Sequence, residues 1–288
     1  MNPFVSVIVP IYNAAPFLKE TLDSIIASTY RPIEIVMVDD GSQDDSLNIA
    51  QDYCTNHPEC TVIAQANQGV SAARNKAIRN AKGTYILPVD ADDKIADTFI
   101  QKAVKVIENN DGIRVVGCRC WMFGAENKEW KLPEFSHALI EQKNMIPATA
   151  LYRKADWERC GGYCEEEIYR EDWDFWLSMM ELGGTFYKLD EILFYYRISA
   201  KSRRSLAKGK KKRIVDAINH RHPAYMQKYL GGPLHYHRSW SRFINFFRSE
   251  TILGNYVNWD EGEIIYANRN ILRNSNGFIS KQFTTPSW

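Results

Sequence analysis

Ile33-Glu34-Ile35-Val36-Met37-Val38-Asp39-Asp40-Gly41-Ser42 decides how this chain is read. A run dominated by β-branched side chains favours extended backbone, and it stops at two carboxylates and a glycine, the composition of a turn. The same grammar appears on either side. Val5-Ser6-Val7-Ile8-Val9 is a strand that Pro10 ends, leading into Ile11-Tyr12-Asn13. Thr84-Tyr85-Ile86-Leu87-Pro88-Val89 runs straight into Asp90-Ala91-Asp92-Asp93, with Pro88 placed at the strand end because proline removes a ladder donor. Thr61-Val62-Ile63-Ala64 reads as a further strand. Amphipathic helices fall between. Pro16 opens one with Phe17, Leu18, Leu22, Ile25 and Ile26 on one face, and a second runs from about Asp45 to Cys54. A third runs from Gly69 to Ala81, with Val70, Ala73, Ala77 and Ile78 inward and Gly83 as its stop. Strands alternating with helices predict an α/β fold, a Rossmann-like, mostly parallel central sheet flanked by crossover helices.

Further along, a helix is expected near Thr98 to Glu108, strands around Ile113 to Cys118 and Ala148 to Tyr152, and a helix over Glu171 to Leu182. In that last helix Trp173, Trp176, Leu177 and Met180 share a face. Phe186 to Ile198 reads as two short strands, and Lys201 to Arg213 is basic. The pattern then becomes aromatic-rich without a period. A boundary near residue 215 divides a domain of 1–215 from a helical extension over 216–288.

Bulk properties narrow the class. At 288 residues the chain can bury a full core, and 45% hydrophobic with 25% charged residues is the composition of a globular protein. A net charge of +1 argues against a nucleic-acid partner for the whole chain. The cysteines Cys54, Cys60, Cys118, Cys120, Cys160 and Cys164 form no CxxC pair, which points to thiols in a reducing compartment. The start lacks the charged and apolar regions of a signal peptide, and no apolar run is long enough to span a membrane. The expected location is the cytoplasm, with any membrane contact peripheral.

Ligands of open parallel sheets bind outside the carboxyl ends of the strands. Tyr12, Asp39 and Asp90 all follow such ends, so several carboxylates should meet at one edge. They repel one another unless a cation compensates, and a divalent metal with a diphosphate does so. Asp90 and Asp92, with a small residue between them, are hard oxygen ligands suited to Mn²⁺ or Mg²⁺. The competing reading is an acidic turn that caps the helix near Asp97. Asp39 could accept the imide N–H of uracil while the Tyr12 ring stacks on the base. Asp39-Asp40-Gly41-Ser42 could equally be a plain helix-start turn. Arg74, in the first turns of its helix, suits phosphate together with the local amides, or is a solvated arginine.

Taken in order, Val5 to Asn13, Val38 to Ser42, Asn67-Gln68-Gly69-Val70-Ser71-Ala72-Ala73-Arg74-Asn75, Asp90 to Asp93 and Glu171-Asp172-Trp173 resemble the family 2 glycosyltransferases of the GT-A fold, over about residues 4 to 200. The resemblance implies an inverting, metal-dependent transfer from a nucleotide-sugar, UDP-linked, to a glycan or lipid-linked glycan in polysaccharide biosynthesis. About residues 1–110 would bind the nucleotide-sugar and 111–215 the acceptor. By position, Pro10, Tyr12, Asp39 and Arg74 would hold the nucleotide, with Asp90 and Ala91 at the ribose or sugar. Asp92 would hold the metal, Asp172 would be the base, and Glu171 and Asp93 would lie on the acceptor and sugar side.

A single base suffices for in-line attack when a metal stabilises the departing diphosphate. Asp172 at a helix start is kept ionised by the macrodipole, although Glu171 and Asp172 could simply complement that dipole. Relatives often carry a histidine after the arginine that ends the last strands. Here Tyr196-Arg197-Ile198-Ser199-Ala200-Lys201 has none, so Arg197 and Lys201, with Arg203 or Arg204, are candidates for the diphosphate. The basic run Lys208 to Arg213 and the aromatics Trp240, Phe243, Phe246 and Phe247 suit either anionic lipid headgroups or a solvated linker beside a small core. Two competing functions are a catalytically silent sugar-nucleotide binder and a sugar-1-phosphate nucleotidyltransferase. The second needs a Gly-rich basic loop where Pro10 to Ala15 stands.

Overall fold

A computed structural model describes residues 2–140, 144–166, 170–198 and 210–234, together with the backbone of 235–238, 256–259 and 263–266. The chain divides into two compact units, one of Met1–Pro133, Ile146–Glu167 and Ser178–Ser202, the other of Glu134–Met145, Ile168–Leu177 and Arg203–Trp288.

The first unit begins with β1 (Val5–Ile11), α1 (Leu18–Ile26), β2 (Ile33–Asp39), α2 (Ser46–Asn56), β3 (Cys60–Ala64), α3 (Val70–Asn80) and β4 (Tyr85–Pro88). It continues through β5 (Lys94–Ile95), α4 (Phe99–Glu108), β6 (Ile113–Gly124) and β7 (Lys128–Trp130). After α5 (His137–Ile140), which belongs to the second unit, come β8 (Leu151–Arg153), α6 (Lys154–Cys160), α7 (Glu171–Glu181), whose residues as far as Leu177 also belong to the second unit, and β9 (Thr185–Ile198). The sheet order is β3-β2-β1-β4-β8-β6-β9-β5, with β7 added to β6. The half β3-β2-β1-β4 is parallel throughout, as the strand–helix alternation predicts.

Every residue of β1 and β2 is buried, as a parallel sheet covered on both faces requires. Two buried polar residues, one on each strand, pair with each other: the Ser6 hydroxyl donates to Glu34 at 2.6 Å, and the Gly83 amide donates to Ser6 at 2.8 Å. A Cβ on Gly83 would stand 2.5 Å from the Ser6 nitrogen. Close approach to β1 therefore explains this glycine. It does not stop α3, which ends at Asn80 where Ala81 turns extended.

Two strand expectations are corrected. Pro10 does not end β1, which pairs with β2 as far as Ile11↔Asp39. The Ile8 carbonyl accepts from Val89 on the β4 side, so the N–H that Pro10 lacks would point the same way, past the last β4 pairing at Pro88. The pairing with β2 does not use that donor. The segment expected as two strands is the single strand β9, paired with β6 through a register shift in which Cys118 meets Leu189 and Arg119 meets Ile192. Asp190 and Glu191 fill the irregularity, and this polar pair is what breaks the apolar pattern in the sequence.

In the second unit, α8 (Lys211–Arg221) and α9 (Pro223–Tyr229) precede β10 (His235–Arg238), β11 (Tyr256–Trp259) and β12 (Glu263–Tyr266). The strands form an antiparallel sheet in the order β10-β12-β11. The boundary expected at 215 falls inside α8, and the extension holds strands as well as the expected helices. Four-residue strands are too short to show a period. Cys54, Cys60, Cys118 and Cys120 are unbridged thiols. Among the described residues no helix is long and apolar enough to cross a membrane.

Candidate active site

Parallel pairing of β1 with β2 and β4 brings their carboxyl ends to one edge of the sheet, followed there by Tyr12, by Asp40 to Ser42, and by Asp90. The loops after β1 and β2 are stitched together. The Asn13 amide donates to the Ser42 hydroxyl at 3.0 Å and the Gln43 amide to the Asn13 side chain at 2.7 Å. Ala14 donates to Ser46 at 2.8 Å and Ala15 to Asp44 at 3.0 Å. Asn13 holds φ 51, a left-handed conformation that asparagine tolerates better than most residues. The Tyr12 ring just before it stands 53% exposed. Pro10 is buried in the strand below.

Asp39 ends β2 and is only 2% exposed. Its Oδ2 accepts from the Ser42 amide at 3.2 Å, while its Oδ1 is buried with no hydrogen-bond partner among the described residues. A buried acceptor left in that state costs about 1–3 kcal/mol, which a donor on a bound molecule recovers. Asp40 does something different. It accepts from Gln65 Nε2 at 2.7 Å and from the amides of Gln68 and Gly69 at 2.9 and 2.8 Å. Those amides, expected to face phosphate, are engaged by Asp40, which fixes the start of α3. Sequence reading missed this role, although a helix that starts at glycine without a capping side chain of its own is a signal for a remote cap.

Arg74 projects from α3 and is 1% exposed, so it is not a solvated arginine. Its Nη2 donates to Asp90 at 2.7 Å, and its guanidinium lies 5.3 Å from the Tyr163 ring centre. Next to it Asn75 donates to the Tyr163 carbonyl at 2.8 Å and accepts from the Tyr163 amide at 2.9 Å. Asp90 is thus a half-buried carboxylate held from behind by a buried cation. The Ala91 carbonyl accepts from Thr21 at 3.0 Å, which ties the acidic turn to α1.

Burial, and then the neighbouring Asp90 carboxylate, push the Asp92 carboxyl up to about 6. Asp93 is fully buried, and burial with the charges of Asp92 and Asp90 pushes it well above the ordinary range. Its Oδ1 accepts from the backbone N–H of Arg197 at 2.8 Å. Asp93 therefore faces the backbone of β9 and acts as a latch within the turn. Arg197 in turn donates through Nε to the Asp92 carbonyl at 2.7 Å and pairs through Nη2 with Glu20. The guanidinium expected at a diphosphate is bound into the turn itself. Lys201, Arg203 and Arg204, the first two positions Lys208 and Gly209 of the basic run, and Trp240, Phe243, Phe246 and Phe247 lie outside the described residues.

In the second unit Asp172 is the second residue of α7. Its Oδ1 accepts from the Trp173 amide at 2.9 Å and its Oδ2 from Asn144 Nδ2 at 2.6 Å. Both oxygens are thereby oriented, and Glu171 beside it is half-buried. Two residues on, Asp174 is buried and accepts from Arg221 Nε at 2.7 Å and His222 Nε2 at 2.9 Å. Burial raises the Asp174 pKa, but the hydrogen bonds from His222 and Arg221 outweigh it and hold the group below the ordinary range. Among the described residues no three His, Cys, Asp or Glu side chains converge as a metal centre built from protein alone. The turn instead suits a cation that takes one carboxylate and finds its other ligands on a phosphate and water.

A family model described as glycosyl transferase family 2 matches residues 6–174. The glycosyltransferase EpsJ of Bacillus subtilis is 35% identical over 213 residues, 68% of this chain and 62% of EpsJ, so the chain spans less than two thirds of that relative. The fold is similar to S. aureus TarS in complex with UDP-GlcNAc, with a TM-score of 0.66 at 22% identity over 79% of this chain and 70% of that one. It is also similar to the mannosyltransferase PcManGT of Pyrobaculum calidifontis in complex with GDP-Man and Mn²⁺, with a TM-score of 0.59 at 22% identity over 80% and 70% of the two chains. These neighbours share the GT-A architecture that the resemblance implies. The family match covers more than half of the chain, and the chain belongs to glycosyl transferase family 2.

Proposed function

We propose that this chain moves a hexose or N-acetylhexosamine from a UDP-sugar to a hydroxyl of a glycan or lipid-linked glycan, with inversion, in cell-surface polysaccharide biosynthesis at the cytoplasmic face of the membrane. The observation that carries the donor reading is the buried, unpartnered Oδ1 of Asp39 beside the exposed ring of Tyr12. Uracil presents one ring N–H to a single acceptor, whereas guanine presents two adjacent N–H groups that a carboxylate meets best with both oxygens. Asp39 has already committed Oδ2 to Ser42, so one acceptor remains. Cytosine offers no ring N–H. The UDP-GlcNAc complex of TarS supports the same choice.

In this reading Tyr12 stacks on the base above Pro10, and Asp90, steadied by Arg74, takes the ribose or sugar with Ala91. Asp92 holds Mn²⁺ or Mg²⁺. Burial and then the Asp90 charge raise the proton affinity of Asp92, and a bound cation would offset both. When bound, such a cation neutralises charge that builds on the departing diphosphate. Asp172 removes the proton from the acceptor hydroxyl, with Glu171 orienting the acceptor.

Calorimetry with nucleotides tests the donor reading. UDP should bind at least about tenfold more tightly than CDP, and Asp39→Ala should weaken UDP by about that factor while erasing the preference. Equal affinities for UDP and CDP in the unaltered protein would remove Asp39 from base recognition.

A further inference from the structure

We infer that Arg197 and Glu20 form a positioning clamp that sets the acidic turn in place for a divalent cation. This inference rests on the reading of Asp92 as a cation ligand. Five contacts converge on one guanidinium and its backbone. The Arg197 N–H donates to Asp93 at 2.8 Å, and Nε donates to the Asp92 carbonyl at 2.7 Å. Two consecutive residues of the turn are thus gripped from the last turns of β9. The planar group is then pressed between two rings, with the Phe17 centre at 4.6 Å and the Phe123 centre at 4.3 Å. Nη2 reaches Glu20 on α1. A lysine has neither the plane to fill that slot nor the fork to span Asp92 and Glu20 together.

The surroundings hold the clamp in turn. Glu20 also pairs with Lys94 at 2.6 Å, immediately after the turn, and Lys94 Nζ lies 4.6 Å from the centre of the same Phe123 ring. Both cations hold the Glu20 carboxyl below its ordinary value against the modest effect of burial, the Lys94 hydrogen bond being the largest contribution. Gly124 lets the end of β6 pass beneath the arginine: a Cβ there would meet the Ile198 carbonyl at 2.8 Å and Arg197 Cγ at 3.5 Å. Four separate stretches, around residues 17–21, 91–94, 123–124 and 197–198, therefore share one purpose. They place the backbone at Asp92, and with it the Asp92 carboxylate.

Two roles for Arg197 make opposite predictions for Glu20. If the guanidinium were a diphosphate ligand, Glu20 would compete with the nucleotide, and Glu20→Gln would release Arg197 and tighten UDP. If it is a clamp, Glu20→Gln loosens the turn, and the cation suffers while the nucleotide alone does not.

The measurement is Mn²⁺ binding to the full chain in the presence of UDP, followed by the electron paramagnetic resonance signal of unbound Mn²⁺, with UDP affinity in the absence of metal measured alongside. Glu20→Gln should raise the Mn²⁺ midpoint about threefold, as expected for the loss of a partly exposed ion pair, and Arg197→Lys should raise it about tenfold. The double variant should be no worse than Arg197→Lys, because one clamp is lost only once. Metal-free UDP affinity should not change. Unchanged Mn²⁺ midpoints in Glu20→Gln and Arg197→Lys, or tighter UDP in Glu20→Gln, would overturn the clamp. Asp92→Asn separates the two levels of the argument. If it too leaves Mn²⁺ binding intact, the reading of Asp92 fails; if it abolishes binding while the other variants do nothing, only the clamp fails. Glu20 lies at the surface, so its variant keeps the test valid should Arg197→Lys fold poorly.

Discussion

Asp172→Asn is expected to lower kcat for sugar transfer by about two to four orders of magnitude, the usual contribution of a general base, with the Kd for UDP unchanged. The replacement preserves size and leaves an oxygen that can still accept from Asn144 or Trp173. What disappears is the basic lone pair. Because the role is confined to the transition state, the loss should appear in kcat and equally in kcat/KM, and not in donor binding. A variant that weakens UDP in step with the lost rate would instead mark Asp172 as part of the donor site. Asn144→Ala should give a smaller fall in the same direction, since it removes one of the hydrogen bonds that orient Asp172 and leaves the carboxylate in place.

Asp92→Asn is expected to reduce kcat/KM with Mn²⁺ by about a hundredfold or more, the scale of losing a cation that stabilises a leaving group. The raised pKa of Asp92 adds a pH signature. Burial and the Asp90 charge hold the group at about 6, so the carboxylate is available for a cation above that pH and is progressively protonated below it. Mn²⁺ affinity should therefore climb with pH through about 6 and then level.

Stability moves the other way in metal-free protein. The folded chain keeps a proton that the unfolded chain has already released at about pH 4, so this contribution is complete at low pH and is lost as pH rises through about 6. The cost at pH 7.5 is about 1–2 kcal/mol once solvent screening is allowed for. Asp92→Asn should accordingly raise the Tm of metal-free protein at pH 7.5 by a few degrees, while removing the Tm gain from Mn²⁺ with UDP. A metal-free Tm that falls in this variant would contradict the charge argument.

The features legible in the sequence were those written in local pattern. Asp39 could be placed at the carboxyl end of β2 because the β-branched run before it is unbroken, and Asp90 because β4 runs straight into its turn. The division of labour between neighbours was not legible. Asp39 and Asp40 are chemically identical, and only the fold reveals that one keeps an open acceptor while the other is saturated by the Gln65–Gly69 loop. The contacts of Arg197 were hidden for a related reason. Its partner Glu20 lies 177 positions away, so the sequence displays a cation near the end of a strand without the carboxylate and the two rings that engage it. Pro10 and β9 show the same limit in the backbone: a missing donor or a polar bulge interrupts a pattern without interrupting the strand.

The central claim is that one edge of the sheet reads a uracil nucleotide with Asp39 and a divalent cation with Asp92. A crystal structure with UDP and Mn²⁺ tests it most directly. The account predicts the uracil ring nitrogen within about 3 Å of Asp39 Oδ1, the ring against Tyr12, and Mn²⁺ bound by the Asp92 carboxylate and the diphosphate. An ordered base that makes no contact with Asp39, or Mn²⁺ bound to the diphosphate without Asp92, would contradict it.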